Sequence, residues 1–484
     1  MSVKVSIKGT FEDKSYILLP GESIFEMLMR QEMIFLSLCG GKGLCGKCRI
    51  QFIGWAPLPK PEERRFFSPG ELRTGMRLAC LAKPNADCNI KIIFQEEKKR
   101  EIISIYDSTY ANSKIQRADD SVLKNKQVVA IDFGTTTIAI QLLEAENGLV
   151  RKESRFLNPQ RIWGADVISR MEASIRGERK KMQQVTQRVL EEEIRKLTPD
   201  TNTLIVIAGN TVMEHILMGF DLQGMAVYPF IPVDLSQMEL EIGSYRAVLL
   251  PGISSFVGSD ITAGIYALGM HKAKEINLLL DLGTNGEMVI GNRKRMIATA
   301  TAAGPAFEGG KLSEVAGSDM ITVAAKLLEE RILDKTGLLK DPYFQNGYQI
   351  QDIHIQQQDI RNLQMAKAAV KTGIITLSEK YGISLKQIAH VYLAGGFGYH
   401  LNVEDANRIG MIPFELKNKV IAVGNSSLLG AYLYGKELLK QKEIGIADLG
   451  IEEVKSFHQK VEVLNLAKQD GFEERYLGTM NFDN

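Results

Sequence analysis

With a formal net charge of +1 over 484 residues, the sequence has no excess of either sign. That excludes a global field able to gather nucleic acid or an anionic membrane. The basic residues are scattered, and the two short clusters, EEKKR (96–100) and ERKKM (178–182), read as solvated faces. No uninterrupted apolar run approaches the ~18 residues of a membrane helix. The N-terminal MSVKVSIKGTFEDKS has none of the apolar core of a secretory signal. The expectation is a cytoplasmic protein that engages neither nucleic acid nor membrane. No cysteine occurs after residue 88, and all five lie between residues 39 and 88. Cytoplasmic thiols stay reduced, so a cluster that tight points to metal or redox chemistry rather than disulfides. What is present is an ordinary globular composition, 45% hydrophobic and 24% charged, and length for roughly two to four domains.

The stretch CGGKGLCGKC (39–48) fits three chemistries. From Gly41 it spells G-x-x-x-x-G-K, a phosphate loop with Cys48 in place of the magnesium-binding hydroxyl. Gly41, Gly43 and Gly46 also spell the dinucleotide fingerprint. Both phosphate motifs need a strand directly before the glycines and a helix after them. Here GESIFEMLMRQEM (21–33) is helical in period, with Ile24, Met27, Leu28 and Met33 along one face, and CRIQFIG (48–54) alternates like a strand. The third chemistry is iron. A [2Fe-2S] cluster takes four thiolates, and Cys39, Cys45 and Cys48 with distant Cys80 supply them. The glycines at 40, 41, 43 and 46 let the backbone turn tightly and aim N–H groups at sulfur. The C-x5-C-x2-C spacing is one residue longer than the plant-type pattern and is that of adrenodoxin-like ferredoxins. Cys88 is the spare, either an alternative fourth ligand or a buried small residue. Zinc on the same four thiols is the rival, although structural zinc sites usually pair two C-x2-C units. With strands at VKVSI (3–7), YILLP (16–20) and NIKIIF (89–94), and a turn and short helix in PEERRFFSPGELRTG (61–75), the order reads as a β-grasp ferredoxin.

Residues 96–126 are polar, charged and weakly periodic, as a linker would be, and a linker lets a redox module move. Beyond it the sequence repeats itself. QVVAIDFGTTTIAIQLL (127–143) reads as strand, turn, strand, and INLLLDLGTNGEMVIG (276–291) repeats the pattern. Each copy leads through a helical region to a strand ending in small residues, LIVIAGN (204–210) and VYLAGGFG (391–398). Two such hairpins facing across a cleft can offer N–H groups and hydroxyls to phosphates from both sides. An aspartate at each strand end can hold Mg2+ or its waters. The candidates are Asp132, Gly134, Thr135 and Thr136 in the first copy and Asp281, Gly283 and Thr284 in the second. Gly395, Gly396 and Gly398 leave a surface against which adenosine could lie. Asp260 and Glu287 fall near this cleft, where a cap or salt bridge explains them equally well. His215 and His390 sit in apolar sequence and read as core histidines.

These motifs resemble those of the acetate-kinase, sugar-kinase, Hsp70 and actin superfamily (ASKHA). The resemblance implies a duplicated ribonuclease-H-like fold closing over ATP. The fold class expected is therefore α+β and α/β multidomain: a ferredoxin-like domain (1–95), a linker (96–126), and two ASKHA subdomains (127–273 and 274–484). The order of ferredoxin then clamp resembles the reductive activators of corrinoid proteins, the RACo-type proteins. Further matching stretches are LNPQRIWGADVISRM (157–171), AGNTVMEHILMG (208–219), LLPGISSFVGSDITAG (249–264) and TAAGPAFEGG (301–310). That resemblance implies ATP-dependent transfer of one electron from the [2Fe-2S] cluster to the Co(II) corrinoid of a methyl-carrier protein, restoring Co(I), with ATPase activity. It also implies an external low-potential electron donor and a homodimer. Plant-type clusters lie near about −400 mV, and each ~59 mV of deficit costs roughly 1.4 kcal/mol for one electron, so the reaction needs coupling. The segment KLSEVAGSDM (311–320) departs from the family's Ile-Ser-Cys-Gly-Met. Only Ser313 lines up as a contact towards cobalt, and a helix cap or turn residue is the plainer reading of it.

Two rival classes stay open at this point. One is an ATP-linked donor to another low-potential enzyme, like the 2-hydroxyacyl-CoA dehydratase activators. Those hold a [4Fe-4S] cluster at a dimer interface, and the lack of cysteine after residue 88 speaks against that arrangement. The other is a non-catalytic, redox-sensing scaffold that binds ATP.

Overall fold

The computed structural model describes residues 3–8, 14–31, 39–93, 123–283, 286–301, 317–350, 353–443 and 451–482. Alternation of Val3, Val5 and Ile7 with polar residues produces β1 (Val3–Ile7), buried on its apolar side. It pairs antiparallel with β2 (Lys14–Leu18) and parallel with β5 (Cys88–Ile92). With β3 (Arg49–Ile53) and β4 (Met76–Leu78) the sheet order is β2-β1-β5-β3-β4. Helix α1 (Ile24–Arg30) starts at a reciprocal cap: Glu26 N–H donates to Ser23 Oγ at 3.2 Å, and Ser23 N–H to the Glu26 carboxylate at 2.7 Å. Its buried face holds Ile24, Met27 and Leu28 as the periodicity requires, and also Phe25. Met33 lies outside the described residues.

The duplication in the sequence is a duplication of topology. In the first copy β6 (Gln127–Phe133) pairs antiparallel with β7 (Thr137–Glu144), which pairs with β8 (Val150–Leu157). Helices α2 (Val167–Ala173) and α3 (Arg179–Leu197) then lead to β9 (Leu204–Gly209), parallel to β6. After α4 (Thr211–Met218), β10 (Met238–Ile242) and β11 (Tyr245–Leu249) complete the order β10-β11-β9-β6-β7-β8. Helix α5 (Ser259–Leu268) follows. In the second copy β12 (Ile276–Leu282), β13 (Gly286–Asn292) and β14 (Arg295–Thr301) repeat the antiparallel trio. A small hairpin of β15 (Tyr348–Ile350) and β16 (Ile353–Ile355) precedes the long helix α6 (Gln357–Tyr381). The chain then returns as β17 (Ile388–Ala394), parallel to β12, runs through α7 (Gly395–His400), and adds β18 (Val420–Gly424) before α8 (Ser426–Glu443). With β19 (Val461–Val463) the order is β18-β17-β12-β13-β14-β19. The shared core of both sheets is thus one strand pattern used twice. The segment 96–126 expected as a linker lies largely outside the described residues.

The copies interlock through α5 and α8, which pack on each other. Helix α8 follows the second sheet yet lies on the first: a Cβ at Gly435 would come within 2.9 Å of Val128 and Val206 side chains. At Gly430 a Cβ would come 2.2 Å from the Ala263 carbonyl oxygen. Gly430→Ala is therefore expected to destabilise the protein by about 1–3 kcal/mol through overpacking, read as a lower melting temperature. Gly478→Ala, where a Cβ meets nothing within 4 Å, leaves the melting temperature in place.

Candidate functional site

The four thiols of the N-terminal sheet divide into two pairs. Cys48 Sγ lies 3.3 Å from Cys80 Sγ, with both residues buried. Cys39 and Cys45, both half-buried, are hydrogen-bonded through their side chains. The local sequence fixes this arrangement. The residue before Cys80, Ala79, donates its N–H to Cys48 O at 2.7 Å and accepts from Phe25 N–H at 3.0 Å, so α1 and β3 both hold the fourth thiol. Buried Glu63 accepts from Leu78 N–H at 2.6 Å on the other side. Gly40, Gly41, Gly43 and Gly46 all have positive φ. At Gly46 a Cβ would lie 2.3 Å from the Phe66 ring, so no larger residue fits that turn. The Cys45 thiol and the N–H groups of Leu44, Cys45 and Lys42 hold Cys39 well below the usual thiol range, at about 4, against the opposing effect of burial. The Cys80 contact and burial push Cys48 upward, and the Cys39 charge adds to that. Amides directed at sulfur are the surroundings a ligating thiolate needs. Among the described residues, no group of three or more His, Cys, Asp or Glu is placed to hold a single metal ion. Cys88 sits on β5, buried, with its thiol pushed up to about 11 by burial and Asp87.

The carboxylates gather at the strand ends of the duplicated body. Asp132 ends β6 in register with Ala208, and Asp281 ends β12 in register with Ala394, so the two hold equivalent positions. The turn after Asp132 is braced by Asn158, which donates to Gly134 O at 2.8 Å through its side chain and to Thr136 O at 2.9 Å through its backbone. Thr135 is buried and Thr136 half-buried. Asn425, at the start of α8, donates from Nδ2 to Asp132 Oδ2 at 2.8 Å, while its Oδ1 accepts from Leu428 N–H at 2.8 Å. This bond joins the two copies at the cleft, between residues 293 apart with no local pattern linking them. In the second copy Gly395 has φ +81, and a Cβ there would come 2.8 Å from Asp281 Oδ1. Gly283 is half-buried; Thr284 and Ser313 lie outside the described residues. Glu287 pairs in register with Asp281 and is buried. Gly396 is exposed, whereas Gly398 packs back on Leu393, where a Cβ would come within 2.8 Å.

Of the two histidines expected in the core, His215 is there. Its Nδ1 lies 2.9 Å from Thr211 O, its Nε2 accepts from Val233 N–H at 3.2 Å, and burial lowers its pKa. His390 is exposed instead, because it lies near the start of β17, before the stretch Val391–Ala394 where both faces of the strand are buried.

Asp260 stands at the first turn of α5, its Oδ1 accepting from Ile261 N–H at 2.8 Å. Burial, and then the nearby charge of Asp132, push it up to about 7. Its folded pKa exceeds the unfolded value of about 3.9, so the folded protein holds an extra proton between those values and loses stability as pH rises through 7. Asp260→Asn is expected to be more stable than the parent at pH 8 by roughly 1–2 kcal/mol, discounted for partial exposure. The gain shrinks as pH falls below 7 and vanishes only at about pH 4, where unfolded Asp260 is protonated too, and thermal melts in nucleotide-free, metal-free buffer read it.

Two copies of one strand order, each tipped by an aspartate and joined through α5 and α8, define a protein of the ASKHA class. Residues 128–273 match the family model described as the RACo middle region, and residues 275–314 and 312–484 match the C-terminal domain of RACo, the ASKHA domain. The chain belongs to the RACo family. It is 30% identical over 392 residues to the corrinoid activation enzyme RamQ of Eubacterium limosum, covering 66% of this chain and 65% of that protein. It is 23% identical over 301 residues to the [Co(II) methylated amine-specific corrinoid protein] reductase of Methanosarcina barkeri, covering 50% and 53%. The chain thus spans about two-thirds and about half of these relatives. The solved structure of a reductive activator for corrinoid, iron–sulfur protein shares the fold, with TM-score 0.64 and 24% identity over 99% of this chain and 98% of that one. Among the described residues no helix is long and apolar enough to cross a membrane.

Proposed function

We propose that this protein is an ATP-dependent reductive activator of a corrinoid methyl-carrier protein. The observation that carries the reading is the division of four thiols into two pairs on a chain of the RACo family. A two-iron cluster bonds two thiolates at each iron, so Cys39 with Cys45 and Cys48 with Cys80 fit [2Fe-2S]. A single zinc needs all four thiols around one point, and the separation into pairs disfavours it. The five-stranded sheet crossed by α1 is then a β-grasp ferredoxin. Bound there, the cluster supplies one electron at a time, enough to take Co(II) to Co(I).

The remaining residues have separable tasks. The loop glycines let the Lys42, Leu44 and Cys45 amides face Cys39, and α1 with β3 holds Cys80 under the loop. Asp132, Gly134, Thr135 and Thr136, with Asp281, Gly283 and Thr284, hold the phosphates and Mg2+ of ATP. Gly395 and Gly396 leave room for adenosine, and Gly398 lets α7 close on Leu393. Because Asn425 ties α8 to Asp132, phosphate binding at Asp132 bears directly on how the copies close. That supports a role for ATP binding and hydrolysis in resetting the complex with the corrinoid protein. An external low-potential donor supplies the electron, and a homodimer remains part of the proposal. The relatives named as a corrinoid activation enzyme and a Co(II) corrinoid-protein reductase support the choice of acceptor.

The test is spectral. Iron-loaded protein, reduced and freed of reductant, is mixed with a Co(II) corrinoid protein and Mg-ATP under anaerobic conditions. Growth of the Co(I) band, or of methyl-Co(III) with a methyl donor present, is expected. No change with any corrinoid partner would refute the reading.

A further inference from the structure

The thiol loop is also the place where the N-terminal sheet meets the body. Gly40, at φ +58, lies so close to Trp163 that a Cβ would come 2.7 Å from the Trp163 carbonyl oxygen. Two residues on, Lys42 Nζ reaches Glu172 Oε2 at 3.1 Å. Trp163 closes the 3-10 turn Pro159–Trp163, and Glu172 lies on α2. The indole of Trp163 donates to Glu178 at 3.1 Å, and Arg170 Nε donates to Gly164 O at 3.0 Å, so the receiving surface is itself held in place. Buried apolar side chains of the N-terminal sheet and of the first body sheet form one continuous cluster.

The two thiol pairs differ in exposure. Cys48 and Cys80 are buried, whereas Cys39 and Cys45 are half-exposed, so the solvent-facing edge of the site is the segment from 39 to 45. Of the residues between those cysteines, Gly40 and Lys42 face the body, while Leu44 is 69% exposed.

We propose that the Trp163–Glu172 face of the body is a parking site for the thiol loop, and that leaving it is required before an electron passes to a protein-bound acceptor. The proposal rests on the preceding reading that this loop holds an electron-carrying centre. Electron transfer falls steeply with distance, so a large acceptor must reach the Cys39–Cys45 edge, and in the parked state the body stands there first. The free Leu44 side admits a donor meanwhile. The contact suits reversal: Lys42 and Glu172 are each 45% exposed, and exposed ion pairs are weak and screened by salt. Glu172 also lies 3.5 Å from Arg176, so a lysine placed at 172 would meet two positive charges.

The test uses iron-loaded, full-length protein in which Trp55→Phe leaves Trp163 as the sole tryptophan. An iron–sulfur chromophore quenches a nearby indole by energy transfer, so the fluorescence lifetime of Trp163 reports parking without any turnover. Glu172→Lys is expected to lengthen that lifetime and to speed oxidation of the reduced centre by limiting cytochrome c, a protein-sized acceptor, about fivefold. Oxidation by duroquinone, an uncharged acceptor small enough to use the Leu44 side, stays as in the parent. Lys42→Glu with Glu172→Lys restores both values. A lifetime unmoved by Glu172→Lys and by high salt would overturn the proposal. So would a longer lifetime with unchanged cytochrome c kinetics, since parking would then screen nothing. Because cytochrome c replaces the corrinoid protein, the outcome is independent of whether the corrinoid reading holds.

Discussion

Cys80→Ala is expected to remove the bound iron and the visible absorbance of the protein and to cut electron delivery to a corrinoid protein by more than about 100-fold. Outer-shell partners of a metal centre already cost 10–100-fold when lost, and a ligand costs more; 100-fold is about 2.7 kcal/mol of barrier. The effect should be confined to the centre. Cys80 is 8% exposed and follows Ala79, whose backbone bonds to Cys48 and Phe25 survive the substitution. The fold therefore persists, and the ATP hydrolysis proposed for the duplicated body should stay within about twofold on the additivity expected of separate sites. Cys88→Ala is the matched control. Cys88 is as buried as Cys80, yet the sulfur pairs involve the other four cysteines. It should keep its iron. Iron content and absorbance spectra of both variants decide the matter: iron retained in Cys80→Ala and lost in Cys88→Ala would move the fourth ligand to Cys88.

Asp132→Asn carries the second large effect, on ATP rather than on iron. A carboxylate that holds Mg2+ or its waters acts where charge develops in phosphate transfer, and removing one such group costs on the order of 10²–10³ in turnover. Asparagine keeps the shape and still offers an oxygen to Asn425 Nδ2, so the link between the copies survives. It also removes the charge that helps push Asp260 up to about 7. Asp260 should then ionise at a lower pH, and the fall in stability with rising pH should move to lower pH with it. Phosphate release at saturating Mg-ATP measures the first effect and pH-dependent melting the second. Turnover within about threefold of the parent would place the phosphate-holding carboxylate elsewhere.

What could be read in the sequence was whatever is local and periodic. The alternation in VKVSI, the apolar face of α1 and the repeated Asp-x-Gly-Thr hairpins each follow from residues close together, and each appears where the pattern puts it. The outer strands were harder. VRKESRFL forms β8 at the sheet edge, where its charged side chains stay wet, and so it lacks a strand's apolar alternation. His390 misled for a different reason: its apolar neighbours Val391–Ala394 are buried on both faces of β17, but it stands at the strand's exposed start. The cysteine spacing picked out four candidate ligands but not their division into pairs, which depends on α1 and the start of β3 holding the backbone beside Cys80. Asn425 is 293 residues from Asp132 and had no local signal at all. Asp260 was visible only as one acidic residue near a helix start; its significance comes from the carboxylate that the fold sets beside it.

The central claim is that one electron leaves the two-pair thiol site and arrives at cobalt under the control of ATP. Electron paramagnetic resonance of a single anaerobic mixture follows both centres, since a reduced [2Fe-2S] cluster and Co(II) each carry an unpaired electron, and the oxidised cluster and Co(I) do not. Reduced protein mixed with a Co(II) corrinoid protein, Mg-ATP and a methyl donor to trap Co(I) should lose both signals in equal spin amounts, and lose them more slowly without ATP. A Co(II) signal that persists while the cluster signal remains, or that decays at the same rate with and without ATP, would contradict the account.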